Sequence, residues 1–351
     1  MTLRRIEWLD TLRAFGIFIV FLGHTTLTNK LVEKYIFSFH MPLFFFISGI
    51  FFKAPDTPGG FRNFFLNKIK TRMIPYVSFG ILTYVLWLLP ILLRKYGVYH
   101  GSNAIPDSLY YKPFIGMLYG SGEPHNGILW FLACLFVTEI IFYGTYRTGK
   151  TVRNISLILI FFAFLGYVDA LYTPIRFPFS ANIAFSAVVF YGIGYLLKDL
   201  LIDSDLEVGW TLVCLSIGLI IAFLNDRVDM NYRWYGNPIL FYASSLLSIY
   251  AFISLFKKIP HNSLTDYVGQ NSLIFFLLQN IGFSIVNVLS YLMLHSKLNS
   301  GELNLLCAIG YVFLSILVLF PVAYFINNKM PIITGKIPSR DKVKQMSAQQ
   351  F

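Results

Sequence analysis

Residues 10–24 read "DTLRAFGIFIVFLGH": an apolar run of ten residues with Asp10 and Arg13 at one end and His24 at the other. At about 100° per residue, eleven helical steps bring His24 to within roughly 20° of Arg13, about 16 Å further along the axis. The two polar residues then share one helix face, three turns apart. Such a run needs an apolar environment around it, and the rest of the chain says which.

Of the 351 residues, 56% are hydrophobic, 18% aromatic and only 13% charged, with a mean hydropathy of +0.63. This is too apolar for an ordinary soluble enzyme and points to a lipid bilayer as the partner. The net charge of +11 lies in short basic clusters between apolar runs, a pattern that excludes nucleic acid as a partner and suits membrane topology. Cys134, Cys214 and Cys307 lie in apolar segments without paired spacing, so neither a disulfide framework nor a metal site is expected. They read as small core residues. Charge precedes the first apolar run, but that run lacks a small-residue cleavage pattern, so a retained helix is expected there.

Ten runs are long enough to cross about 30 Å of hydrocarbon: 12–29, 35–52, 74–93, 127–145, 154–170, 181–198, 209–225, 237–256, 270–294 and 303–327. An all-α membrane bundle of about ten spans follows, a single domain over 1–330. With the N-terminus inside, 19 of the 28 Lys and Arg residues fall on the cytoplasmic side. The positive-inside rule therefore places both termini in the cytoplasm. Residues 331–351 read as a basic, disordered cytoplasmic tail, and the loop 94–126 as a small outer cap. No fixed-period repeat is visible.

Ionisable residues within spans are costly and mark candidate sites. His24 lies eight positions before the centre of the first loop, near Val32, and His40 in "FSFHMPLFFFISG" lies eight after it. In an antiparallel hairpin the two imidazoles reach similar depth. Together with Arg13 they are the candidate catalytic residues; the alternative is polar packing between helices. Asp10 suits a helix cap or an i, i+3 pair with Arg13.

In "GFRNFFLNKIKTRMIPY", residues 60–76, aromatic and basic residues alternate at helical spacing. An amphipathic helix on the inner surface is expected, ending at Pro75. Lys68, Lys70, Arg72 and Arg13 are the candidates for gripping a phosphorylated donor; attraction to anionic lipid is the competing reading. Asp10, Glu139 in "CLFVTEIIFY", Trp130, and His125 and Asn126 in "EPHNGILWFL" are the candidates for contacting the other substrate. Gln279, Asn280 and Asn182 read as interhelical hydrogen bonders. No Walker loop, dinucleotide fingerprint, zinc pattern or nucleophile elbow is present.

The stretches "LDTLRAFGIFIVFLGH", "FSFHMPLFFFISG", "KIKTRMIPY", "LWFLACLFVTEI" and "VGQNSLIFFLLQN" resemble, in order, the acyltransferase-3 family of integral membrane acyltransferases, and most closely its fucose and sugar O-acetylase branch. The spacing of Arg13 and His24 is the most specific mark, and the likeness runs from about residue 5 to 330. The resemblance implies about ten spans in the inner membrane of a prokaryote, with acetyl-CoA or another acyl-CoA as cytosolic donor and no metal. A cell-surface or lipid-linked carbohydrate would be the acceptor, His24 the catalytic histidine, Arg13 its motif partner, and the region around Lys70 and Arg72 the donor surface. One departure is Gln279, which stands where many members carry histidine. No SGNH-type domain follows the membrane unit. Acyl transfer to a hydroxyl needs a base, and an imidazole with an ordinary pKa of about 6.5 suits that need. A glycan or lipid-linked-sugar exporter, with histidines coupling proton movement, is the alternative of a different class.

Overall fold

The computed structural model describes residues 6–26, 29–54, 60–95, 111–121, 126–204, 207–295, 298 and 302–336. Their helices are α1 (Glu7–Gly23), α2 (Lys30–Ile50), α3 (Gly60–Lys68), α4 (Ile74–Lys95), α5 (Lys112–Tyr119), α6 (Trp130–Gly149), α7 (Val152–Tyr172) and α8 (Ala181–Asp203). After these come α9 (Val208–Leu224), α10 (Pro238–Lys258), α11 (Ser263–Gln270), α12 (Ser272–Leu277), α13 (Gln279–Leu294), α14 (Leu305–Leu317) and α15 (Phe320–Lys329). An isolated β bridge pairs Asp229 with Trp234.

Each of the ten expected runs contains helix, and among the described residues seven helical stretches are long and apolar enough to cross a membrane. The other three differ for local reasons. Helices α1 and α9 have 17 residues each. The run 270–294 is broken at Leu278, whose φ of −100° and ψ of 9° separate α12 from α13. Several helix starts are set by sequence: Asn29, Thr151, Asn237, Asn262 and Asn304 each accept backbone N–H bonds at an N-cap.

The centre of the bundle is α1, α2, α6, α8 and α10, whose Leu9, Ile17, Phe21, Phe45, Phe142, Phe190 and Ile253 are fully or almost fully covered. Helices α7 and α9 lie outside, against α8 and α10. Their Leu157, Ile160, Phe164, Leu212 and Ile220 remain exposed, which suits a lipid-facing surface. One reading of the cysteines is corrected here. Cys134 is buried, but Cys214 is half-buried and Cys307 exposed.

Successive connections gather at alternate ends. At one end Leu303 bonds the carbonyl of Thr26 at 2.7 Å, Ser180 bonds that of Gly120 at 3.1 Å, and Arg176 donates to Asn231. At the other end Lys257 donates to the carbonyls of Leu201 and Ser204, and His261 approaches Glu7 at 2.9 Å. The first residues of the expected tail, Pro331–Thr334, form a 3₁₀ turn against α4. There Lys336 donates to Asn327 at 2.9 Å. Residues 337–351, and most of the expected outer cap, lie outside the described residues.

Two backbone features position α2. Pro42 has no N–H for the carbonyl of Ser38; the Ser245 hydroxyl of α10 lies between that carbonyl, at 2.6 Å, and the Phe241 carbonyl of its own helix, at 2.7 Å, and shares its one hydrogen between them. Helix α2 also touches α8 backbone to backbone. A Cβ on Gly49 would lie 1.9 Å from the carbonyl oxygen of Tyr191, and one on Gly194 would lie 2.1 Å from that of Phe46.

Candidate active site

His24 caps the C-terminus of α1, its N–H shared between the carbonyls of Val20 and Phe21 at 3.2 and 3.1 Å. His40 lies within α2, where Nδ1 meets the carbonyl oxygen of Ile36 at 2.8 Å. A carbonyl only accepts, so Nδ1 carries hydrogen and, in the neutral ring, Nε2 is left as an acceptor. The Phe37 ring stands edge-on to both imidazoles, its centroid 6.0 Å from that of His24 and 5.0 Å from that of His40.

Both histidines line a chamber of about 460 Å³. His24 is exposed to it, whereas His40 is buried in its wall. Trp130 also lines it, as do Lys30, Glu33, Asn280 and the loop residues Arg227, Asp229, Asn231 and Tyr232. That loop is fixed from several directions. Asp229 Oδ1 accepts the Asn231 N–H at 3.0 Å, Arg176 donates to the Asn231 side chain at 2.5 Å, and Arg233 bonds Asp169 of α7 at 2.9 Å. Arg227 pairs with Glu33 at 3.2 Å, joining the loop to α2. Burial raises the Asp229 carboxyl above the usual carboxylate range, against the lowering effect of the Asn231 N–H and Arg227.

A second, smaller chamber of about 150 Å³ is lined by Arg13 and Arg72, with Ser48, Leu273 and Phe131. Arg13 pairs with Asp10 at 3.2 Å and lies over the Phe51 ring at 4.5 Å. Arg72 reaches the chamber from a π-helical turn, Ile69–Met73, that runs between α3 and α4 without a break. Pro75 cannot donate to the carbonyl of Thr71, and the Arg72 guanidinium approaches that oxygen at 3.4 Å. Segment 60–73 is therefore continuous with the following span, where the sequence reads as a separate surface helix. Its Lys68 and Arg72 turn inward to Glu139 of α6, at 2.8 and 2.9 Å.

The candidates thus fall into groups. His24, His40 and Trp130 share the larger chamber, and Arg13 and Arg72 share the smaller. Lys68 and Glu139 form a buried ion pair beside the smaller one, and Asp10 holds Arg13. Lys70 is half-buried. Asn126 is buried, its amide donating to the carbonyl of Leu277 at 3.0 Å. His125 lies outside the described residues. Asn280, read as a helix-to-helix bonder, lines the larger chamber, whereas Asn182 bonds the carbonyl of Ile175 at 3.1 Å. Gln279 is fully buried, and neither polar atom of its side chain has a hydrogen-bond partner.

The sequence reading missed Arg227, Asp229, Asn231, Tyr232 and Phe276. The polar stretch "NDRVDMNYRW" between two apolar runs is a signal for the first four, since a dense cluster of Asn, Asp and Arg in a short connection suits a binding loop.

No curated protein and no solved structure matches the chain. Residues 6–324 match the family model described as an acyltransferase domain. With histidines in one chamber, guanidinium groups in the next, and that match over nearly the whole length, the chain belongs to the acyltransferase-3 family.

Proposed function

We propose that this membrane acyltransferase is an O-acetyltransferase of the sugar-modifying branch, taking an acyl group from cytosolic acetyl-CoA to a hydroxyl of a cell-surface or lipid-linked carbohydrate. The observation that carries this reading is the stacking of two chambers along one axis, Arg13 and Arg72 in one and His24 and His40 in the other. In this reading ten segments cross the inner membrane of a prokaryote, with both termini cytoplasmic. The chamber with the arginines then faces the cytoplasm.

The guanidinium groups suit the phosphates and amide carbonyls of the donor. The slender pantetheine arm spans the roughly 16 Å between Arg13 and His24. In the larger chamber His24 takes the proton of the acceptor hydroxyl as its oxygen attacks the thioester carbonyl. The new C–O bond forms, the C–S bond breaks, and the proton passes to the departing CoA thiolate. His40, held by Ile36, orients the acceptor or the first imidazole. Trp130 and Tyr232 offer flat apolar surfaces to a sugar ring, and Asn231 and Asp229 offer hydrogen-bonding groups.

The test is transfer of labelled acetyl from acetyl-CoA to glycan by purified protein in lipid vesicles, alongside mass spectrometry of surface glycans from cells with and without the gene. Acetylated glycan only where the protein is present is the expected result. Transport of unmodified glycan without acyl transfer would overturn the reading.

A further inference from the structure

One residue, Phe276 of α12, lines both chambers. The division between them falls at the same level on every helix that contributes. On α1, Ile17 faces the smaller chamber and Gly23 the larger; on α2, Phe44 and Met41 divide in the same way; on α6, the neighbours Phe131 and Trp130 do so. At that level three rings close on one another. Phe276 lies 5.2 Å from Phe131 and 6.3 Å from Phe44, and Phe131 lies 6.1 Å from Phe44, centroid to centroid. Phe276 is almost fully buried among them.

The helix bearing Phe276 is short and interrupted at both ends. Asn271 before it and Leu278 after it have bridge-region dihedrals, with φ of −108° and −100°. These two positions set Ser272–Leu277 apart from the helices before and after it. The smaller chamber, about 150 Å³, is well under half the size of the larger, about 460 Å³. It has room for the end of a thin arm and a small acyl group.

We propose that Phe276, closed against Phe131 and Phe44, is the gate through which the donor's acyl group passes from the arginine chamber to the histidine chamber, and that it limits the length of that group. This rests on the acyl-CoA reading above. A short acyl group passes when the Phe276 ring swings aside, while a longer chain meets Phe131 and Phe44 and stays on the inner side. Phe276 thus sets donor specificity without touching the proton that His24 moves.

The experiment compares kcat/KM for acetyl-CoA and butyryl-CoA in the wild type and in Phe276→Ala, Phe276→Leu and Phe131→Leu, each checked for fold by thermal unfolding. The butyryl-to-acetyl ratio should rise about tenfold or more in Phe276→Ala, since one methylene in an apolar pocket is worth about that much. The leucine variants should show a smaller rise, and they decide the matter where the alanine variant does not fold. Phe313→Ala, on the exposed face of α14, should leave the ratio unchanged. An active wild type whose ratio is kept within about twofold by the folded Phe276 variants overturns the gate alone. A wild type that transfers no acyl group from any acyl-CoA overturns the acyl-CoA reading and the gate with it.

Discussion

Arg72 grips Glu139 side-on, Nε to Oε2 at 3.1 Å and Nη2 to Oε1 at 2.9 Å, while Lys68 donates to Oε1 at 2.8 Å. One carboxylate therefore serves two cations inside the bundle. Removing one partner of a buried ion pair typically costs about 3–5 kcal/mol, because the other charges stay buried without compensation. Glu139→Gln should lower the thermal midpoint of the detergent-solubilised protein and release Arg72 from its position in the smaller chamber. The KM for acyl-CoA should then rise more than that for the acceptor. A variant with both values unchanged would show that Glu139 does not position the donor site.

Charge reversal at Lys70, half-buried in the π turn, should raise the KM for acyl-CoA severalfold and leave that for the acceptor near the wild-type value. The effect should weaken at high salt, as expected for a screened phosphate contact. Equal effects on both substrates would assign Lys70 to lipid binding. Protection by CoA in inside-out vesicles, but not in intact cells, checks the side of entry.

His24→Ala should lower turnover about a hundredfold or more, the common scale for losing a general base, with little change in unfolding temperature. His40→Ala should have a smaller effect. His24→Gln is the sharper variant, because it keeps a hydrogen-bonding group at the end of α1 while removing the base. Near wild-type acyl transfer by a folded His24→Gln protein would end the mechanism.

That the two imidazoles meet around Phe37 is foreshadowed by their equal distance from the first loop. The Asp10–Arg13 pair follows from helical spacing of three. Local periodicity carries such relationships. It does not carry the partners of Glu139, which lie 71 and 67 residues away; the sequence shows a costly carboxylate and nothing of what neutralises it. Phe276 is equally silent, one phenylalanine in a run of apolar residues, because its role depends on three other helices meeting at its level. The break at Leu278 hides for the opposite reason. Nothing in "FFLLQN" marks an interruption, and tertiary packing overrides the local helical preference.

Asp229 gives a pH test. Its carboxyl is raised above an unfolded value of about 3.9. Below that value both states hold the proton. Above it the unfolded state loses the proton first, so this group's contribution to stability falls as pH rises, until the native carboxyl also ionises. Asp229→Asn keeps an oxygen to accept the Asn231 N–H and cannot ionise. The stability of the variant relative to wild type should therefore improve as the pH range is scanned upward from about 4. A constant difference in thermal midpoint across that range would contradict the assignment.

Ser245→Ala should leave the Ser38 carbonyl without the bond that substitutes for the missing Pro42 N–H. A buried acceptor left unpaired costs about 1–3 kcal/mol. Pro42→Ala restores a backbone donor, so the cost of Ser245→Ala should shrink in that background. A double-mutant cycle of unfolding free energies measures the coupling, and additive effects would refute it.

The contact of Gly49 and Gly194 across α2 and α8 has a mechanical consequence. Each glycine meets the opposing backbone where a methyl group would not fit, so the two helices neither slide nor separate without losing the fit on both sides. They act as one stiff beam. The beam carries His40 and Phe44 as fixed points, and the ring of Phe276 bears on it through Phe44.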